Sequence, residues 1–249
     1  MLLALDTSTQ SLSLALVEGA RKGAAATVVE ALLVGPPQKQ SDLLPGLLKE
    51  RLEAHGLTFG GLEGFVVGLG PGSFTGLRIG LSTLKGLAYA VERPLVGASS
   101  LAALALDGPL GVEQLVIAVV KRGELYLGRY RRISEHEVVA LGPETSLTVQ
   151  AFAQVLCERP QARALGPALP EYRPQLLALG VGEEQLLEGP LVPSAVALAR
   201  LVELPGAFDA QALFALEPHY LRGSGAEENP KFPPLPGAEP KARLKEDER

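Results

Sequence analysis

Two short stretches of this 249-residue chain hold the residue types and spacings that could do chemistry. The first is Asp6-Thr7-Ser8, followed by Thr9, at the end of the apolar run 2–5. An aspartate at a strand end, followed by hydroxyls, has two readings. It can hold a magnesium-bound water beside a phosphate, or it can close a hairpin as an Asx-type turn, with the carboxylate bonding backbone two residues on. Ser8 stands where a phosphate turn has glycine, and no convincing second phosphate loop follows, so the turn is favoured. The second stretch is Gly68-Leu69-Gly70-Pro71-Gly72-Ser73-Phe74-Thr75-Gly76-Leu77-Arg78-Ile79-Gly80. It reads as a buried strand, a tight glycine loop and a helix entered at Ser73 or Thr75. Backbone N–H groups at such a helix start suit an anion, with Gly70, Gly72, Ser73, Phe74, Thr75 and Arg78 in reach. The alternative is a strand-to-helix turn that needs glycine only for positive φ and close packing. No Gly-Lys-Ser/Thr ends the loop, so it is not a nucleotide-gripping P-loop.

Other chemistries find little support. His55, His136 and His219 are far apart in sequence, whereas a helical metalloprotease site needs two histidines about one turn apart. Cys157 is the sole cysteine, which excludes an intrachain disulfide and a zinc cluster. No Gly-x-Ser-x-Gly elbow appears. No metal site is expected.

The elements that must position these stretches follow from periodicity. Residues 2–5, 11–17 and 27–34 read as three strands in quick succession. Residues 42–54 carry Leu43, Leu44, Leu47, Leu48 and Leu52 at helical spacing, with Asp42 as N-cap and Pro45 in the first turn. A strand over 65–69, a helix over 75–91 and a strand over 95–97 complete a first lobe, residues 1–105. A second lobe, 106–222, again opens with strands (115–120, 124–131, 138–141), followed by helices near 149–156 and 194–204; its last helix could pack back on the first lobe. From Gly223 to Arg249 the chain is Gly, Pro and charge with few apolar residues, a composition expected to be a disordered tail.

The helix after the glycine loop is unusual. Arg78, Ser82, Lys85, Tyr89 and Glu92 fall on one stripe, the only place where it meets water comfortably. The rest of its circumference is apolar or small, including Gly76, Gly80 and Gly86, each costing about 1 kcal/mol against alanine. This pattern suggests packing on the sheet and on a second surface, either another subunit or the chain's own second lobe.

Bulk composition narrows the class. Hydrophobic residues make up 47% of the chain, enough for a sizeable core, and there is no uninterrupted apolar run of membrane-spanning length. The start of the chain has no basic region or small-residue cleavage site, so a cytoplasmic protein without a membrane role is expected. A net charge of -5 argues against this chain alone wrapping nucleic acid.

The run Gly70-Pro71-Gly72-Ser73-Phe74-Thr75-Gly76-Leu77-Arg78-Ile79-Gly80 resembles the signature of the bacterial TsaB (YeaZ) family of tRNA threonylcarbamoyladenosine biosynthesis proteins. Leu3-Ala4-Leu5-Asp6-Thr7-Ser8, Leu44-Pro45, Gly97-Ala98-Ser99-Ser100-Leu101 and Glu217-Pro218-His219-Tyr220-Leu221-Arg222 resemble further family segments, in the same order. Two positions depart from the pattern. Lys39 stands where the family often has a histidine, and Val119-Val120-Lys121 where an Asp-x-Arg is common. The resemblance implies an α/β, actin/Hsp70/sugar-kinase-like (RNase H-like) fold of two lobes, in which Asp6, Thr7 and Ser8 form a degenerate phosphate turn. It implies a non-catalytic subunit that supports a TsaD-type catalytic subunit in forming N6-threonylcarbamoyladenosine next to the tRNA anticodon. A TsaE-type ATPase is a further partner, and the chain alone forms a homodimer. tRNA is met only through the complex. The implied partner interface lies on first-lobe helices, at Leu44, Leu48, Gly76, Gly80, Thr83, Leu84 and Leu87. No cofactor is implied for the chain itself, although a nucleotide at a partner interface is compatible. The competing function is an ATP-dependent enzyme of the sugar-kinase type, which the missing phosphate elements disfavour.

Overall fold

The computed structural model of the chain describes residues 1–35 and 40–221, with only the backbone of residues 40–43. Lys39, Arg222 and the tail expected over 223–249 lie outside the described residues. The order begins β1 (Leu2–Asp6), β2 (Leu12–Glu18), β3 (Thr27–Val34), α1 (Gln40–Ala54), β4 (Gly64–Gly68), α2 (Phe74–Val91), β5 (Leu95–Ala98) and α3 (Ser100–Leu106). It continues with β6 (Glu113–Lys121), β7 (Glu124–Arg132), β8 (Val138–Ala140), β9 (Thr145–Thr148), α4 (Val149–Cys157), β10 (Arg163–Leu165) and α5 (Leu169–Ala178). The last two helices are α6 (Ala195–Leu201) and α7 (Ala210–Ala215).

The strands form two sheets. The first has the order β3-β2-β1-β4-β5, with β1 antiparallel to β2 and parallel to β4. The second runs β10-β6-β7-β8, with β9 pairing β7. Helices fill the space on and between them. One face of the first sheet (Leu3, Leu5, Leu14, Phe65, Val67) packs on α1 through Leu44, Leu48 and Leu52, and on α2 through Leu81, Leu84 and Ala88. Its other face (Leu2, Ala4, Ala15, Val17, Val66) meets α3 and α6. Leu101, Leu104 and Ala105 of α3 then pack on Val116, Ala118 and Tyr130 of the second sheet. The far face of that sheet is covered by α4 and α5. The boundary expected at 105/106 falls in the last turn of α3, and α6 and α7, late in sequence, pack on the first sheet and on α2. Among the described residues, no helix is long and apolar enough to cross a membrane.

This layering explains a misleading strand pattern. The Ser/apolar alternation over 11–17 suggests a strand with one wet face, yet β2 is buried on both faces. Ser13 belongs there because its Oγ accepts the backbone N–H of Ala195, 2.9 Å away, at the start of α6. A buried serine thus satisfies one of the orphan donors of a helix end.

Several expectations need correction. The first helix begins at Gln40 rather than Asp42, which puts Pro45 inside the helix rather than in its first turn. The last long helix is shorter than the 194–204 pattern, because the chain turns extended at Val202. More important, Leu44, Leu48, Gly76, Gly80 and Leu84 are not available to a partner. The three leucines are at most 1% exposed, inside the first core. Gly76 and Gly80 are buried because α2 lies directly on the β1–β2 turn. A Cβ on Gly80 would stand 2.3 Å from Thr7 Oγ1, and one on Gly76 would stand 2.1 Å from the Thr7 carbonyl oxygen. The close approach that the glycines permit is to Thr7 of the same chain. Of the seven expected interface positions, only Thr83 and Leu87 are partly exposed.

Gly80→Ala is therefore expected to destabilise the folded chain by about 1–3 kcal/mol, the usual cost of overpacking. This outweighs the gain of about 1 kcal/mol that alanine brings to a helix. Urea unfolding of the two proteins measures the balance; a higher midpoint for the variant would show that the Thr7 contact has slack.

Candidate functional site

The two chemistry-bearing stretches meet where β1 ends and α2 begins. Asp6 is fully buried, and its carboxylate is spent within the chain. Oδ1 accepts the Ser8 N–H at 2.8 Å and the Ser8 hydroxyl at 2.6 Å, and Oδ2 accepts the Ser100 hydroxyl at 2.6 Å. Burial pushes the Asp6 carboxyl above its usual value, against the downward pull of these bonds. Gly68 has to be glycine because a Cβ there would fall 1.9 Å from Asp6 Oδ2. The Asx-type reading is the geometry observed: the carboxylate holds the backbone two residues on.

Two donors of the glycine loop bond within the chain. Gly70, at φ 87°, gives its N–H to Ser100 Oγ at 3.1 Å and its carbonyl accepts the Ser100 N–H. The Ser73 N–H donates to the Ser8 carbonyl at 2.7 Å. Ser73 caps α2, its Oγ accepting the Gly76 N–H, while Thr7 Oγ1 donates to the Gly76 carbonyl at 2.8 Å. Gly72 sits against Ser8, whose carbonyl oxygen would be 2.3 Å from an added Cβ. Of the residues expected to meet an anion, Gly70 and Ser73 have their N–H groups engaged within the chain, and Gly72 packs against Ser8. Arg78 does not reach toward the loop either. Its guanidinium lies 3.8 Å over the Phe74 ring, and its Nε donates to Tyr220 Oη at 3.0 Å.

Tyr220 belongs to a C-terminal strap that the helical stripe did not foretell. Of the side read as solvated (Arg78, Ser82, Lys85, Tyr89, Glu92), Arg78, Lys85 and Tyr89 meet residues 208–220. Tyr220 packs on Phe74 with ring centroids 5.5 Å apart, and the Phe214 carbonyl accepts from Lys85 Nζ at 3.0 Å. Tyr89 lies 5.5 Å from Phe214 and 6.4 Å from Phe208. The strap is pinned where the His219 N–H donates to the Leu69 carbonyl at 2.8 Å. One sequence signal could have located it: Asp209, whose Oδ1 accepts the N–H groups of Gln211 and Ala212, is an N-cap ahead of α7.

Beside the strap, Glu144 gathers groups from the cap of α3, from β7 and from the strap itself. Its Oε1 accepts hydroxyl protons from Ser99, the cap of α3, and from Tyr130 of β7. His219 Nδ1 approaches Oε2 at 3.8 Å. Burial alone would raise the Glu144 carboxyl, but the bonds from His219, Ser99 and Tyr130 outweigh it, and the net shift is downward. Burial and the adjacent carboxylate push the Tyr130 phenol far up, so it remains a donor. Sequence reading did not find this cluster, whose members are scattered over 120 positions. Among the described residues, no group of three His, Cys, Asp or Glu side chains could hold a metal ion.

With its sheet side buried and its polar stripe strapped, α2 keeps one open side. Thr75, Ser82, Gly86 and Ala90 are exposed there, with Thr83 and Leu87 partly so. Nothing lies within 4 Å of a Cβ built on Gly86.

Comparison with known proteins supplies relatives for this geometry. A family model described as TsaD, tRNA N6-adenosine threonylcarbamoyltransferase, matches residues 37–164, just over half of the chain. The chain is 32% identical over 134 residues to the tRNA threonylcarbamoyladenosine biosynthesis protein TsaB of Escherichia coli (strain K12), covering 53% of this chain and 55% of the relative. The protein of the same name from Haemophilus influenzae is 38% identical over 104 residues, 42% of this chain and 41% of the relative. The chain thus spans about half the length of these curated relatives. A crystal structure of an uncharacterized Pseudomonas aeruginosa protein with similarity to peptidase YEAZ superposes with a TM-score of 0.69 at 25% identity, covering 89% of this chain and 99% of that one.

The lowered Glu144 carboxyl sets a pH dependence. Its contribution to stability is present above the ordinary glutamate value of 4.5 and disappears as pH falls through the lower folded value. Glu144→Gln is expected to cost about 1–3 kcal/mol at neutral pH and to lose less stability than the parent on acidification. Thermal midpoints across pH 3–7 (roughly the carboxylate range) check both signs.

Proposed function

This chain belongs to the TsaB/YeaZ family, and from that premise we propose that it serves the formation of N6-threonylcarbamoyladenosine in tRNA as a non-catalytic subunit partnering a TsaD-type enzyme. Its fold is the α/β, RNase H-like one of the actin, Hsp70 and sugar-kinase group. The observation that carries the reading is the sealed β1–β2 turn. In an ATP-using relative this turn must present its aspartate and backbone to a phosphate. Here the Asp6 carboxylate takes three donors from the chain itself, and the N–H groups of Gly70 and Ser73 bond within the chain. The degenerate turn Asp6-Thr7-Ser8 acts as a structural plug.

The open side of α2 is the surface that we assign to the TsaD-type subunit, and to a second copy when the chain is alone. Small side chains at Ser82, Thr83, Gly86 and Ala90 let another helix approach closely, as small residues do wherever helix backbones must come near. The glycine that serves a partner is Gly86, not Gly80. A TsaE-type ATPase is a further member of the assembly, any nucleotide would sit at a partner interface, and tRNA is met through the complex in the cytoplasm. A basic surface for tRNA is not expected of a chain with net charge -5.

Gly86→Leu separates folding from association. Monomer stability is expected to be unchanged or to rise by up to about 1 kcal/mol, since leucine is the better helix former and meets open space. Affinity for the TsaD-type subunit is expected to fall about tenfold or more, the equivalent of at least ~1.4 kcal/mol of steric strain. Sedimentation, a binding titration and reconstituted tRNA modification are the measurements. Undiminished binding by a folded Gly86→Leu chain would put the interface elsewhere, and ATP turnover by the isolated chain, abolished by Asp6→Ala, would make it an enzyme.

A further inference from the structure

Among the described residues, four aromatic side chains are strongly exposed, and all four stand together: Phe74 (42%), Tyr89 (54%), Phe214 (60%) and Tyr220 (43%). They form two tilted pairs along the strapped side of α2. Phe74 and Tyr220 meet at 40°, and Tyr89 and Phe214 at 49°, each pair with centroids 5.5 Å apart. A chain usually hides such rings, and a row of exposed aromatics, here with the Arg78 guanidinium seated over Phe74, is the kind of surface that proline-rich segments recognise. Tyr220 Oη accepts from Arg78 Nε, which leaves its own proton for donation to a peptide carbonyl.

We propose that this row is the docking site of the chain's own segment Phe232-Pro233-Pro234-Leu235-Pro236. That run is the longest uninterrupted apolar stretch after Leu221 and carries a Pro-x-x-Pro spacing. Such a sequence favours the polyproline II helix, which exposes its carbonyls and loses little entropy on binding. The dimensions agree. Five residues in that conformation span about 15 Å. The inner ends of the two pairs, near Arg78 and Lys85, are about 10 Å apart along the helix, and the outer ends, Phe74 and Tyr89, about 22 Å. The tether also agrees. The described chain ends at Leu221, next to Tyr220, and the connection to Phe232 can reach about 36–40 Å when extended. A short tether supplies an effective concentration of order millimolar, so a contact with an intrinsic Kd of about 0.1 mM is occupied about ten to one. Segment 222–249 as a whole has little apolar surface to bury; residues 232–236 are the exception.

Trypsin on the full-length chain tests the proposal at one bond. Docking shields Lys231–Phe232, and cleavage there tracks the undocked population. The Tyr89→Ser/Phe214→Ser double variant is expected to be cut at Lys231 about tenfold faster than the parent, with the rate at Lys241 unchanged and the thermal midpoint nearly so. Equal rates at Lys231 in the two proteins would overturn the proposal. So would protection that fades on dilution, because the segment would then occupy a second copy's row. A second measurement leaves the described fold untouched. In Pro233→Ser/Pro234→Ser/Pro236→Ser, the ring resonances of Phe214 and Tyr220 should move toward those of a chain ending at Leu221, and unmoved resonances would equally count against docking.

Discussion

Much of this molecule depends on the β1–β2 turn being seated beneath the first turns of α2, with Asp6 at its centre. Removing a carboxylate from water costs several kcal/mol. Three donors offset that cost, each bond to a charged acceptor contributing about 1.5–3 kcal/mol. The arrangement closes only if the backbones approach within hydrogen-bonding reach of one another. That requirement fixes glycine at 68, 72, 76 and 80, where an added Cβ would fall 1.9–2.3 Å from Asp6, Ser8 or Thr7 atoms. The signature motif is therefore the imprint of a tight junction between the first hairpin and the helix that crosses it. At this junction the Asp6 carboxylate and the N–H groups of Gly70 and Ser73 are engaged in holding the turn.

Much of the architecture was legible in the chain. Each strand expected in the first 141 residues is present, because runs such as 2–5, 65–69 and 115–120 are apolar enough to be strands in any context. The glycine motif was placed correctly between β4 and α2. Periodicity identifies the residues that share a face but is silent about what lies opposite. Leu44 and Leu48 on α1 and Leu84 on α2 belong to apolar stripes that fit a partner as well as they fit a sheet, and the structure puts them under the sheet. For Gly80 the missing information was the position of Thr7, more than seventy residues earlier.

Other elements were hidden for local reasons. β9 and β10 have four and three residues, too few to show alternation. α5 contains Pro170 and Pro174, which read as breakers although the first sits where a helix tolerates it. α7 has six residues, too few to show a helical period, and it is held by Leu213 buried in the first core and by the Asp209 cap. The Glu144 cluster could not be read at all. Its parts become neighbours only when the strap brings His219 to the edge where α3 and β7 meet.

The strap also decides which side of α2 remains open. Without residues 208–220 the helix would present two unburied sides, one charged and aromatic and one small. Phe208, Phe214 and Tyr220 cover much of the charged side, and Lys85 and Arg78 are drawn into contacts with the strap's own backbone and ring. The remaining side offers hydroxyls, a glycine and an alanine, with no charge to steer or select a partner. For the partner proposed there, selection would come from shape, through how closely a second backbone can approach. Such a surface tolerates changes of charge around its rim better than added volume at its centre. Gly86 occupies that centre.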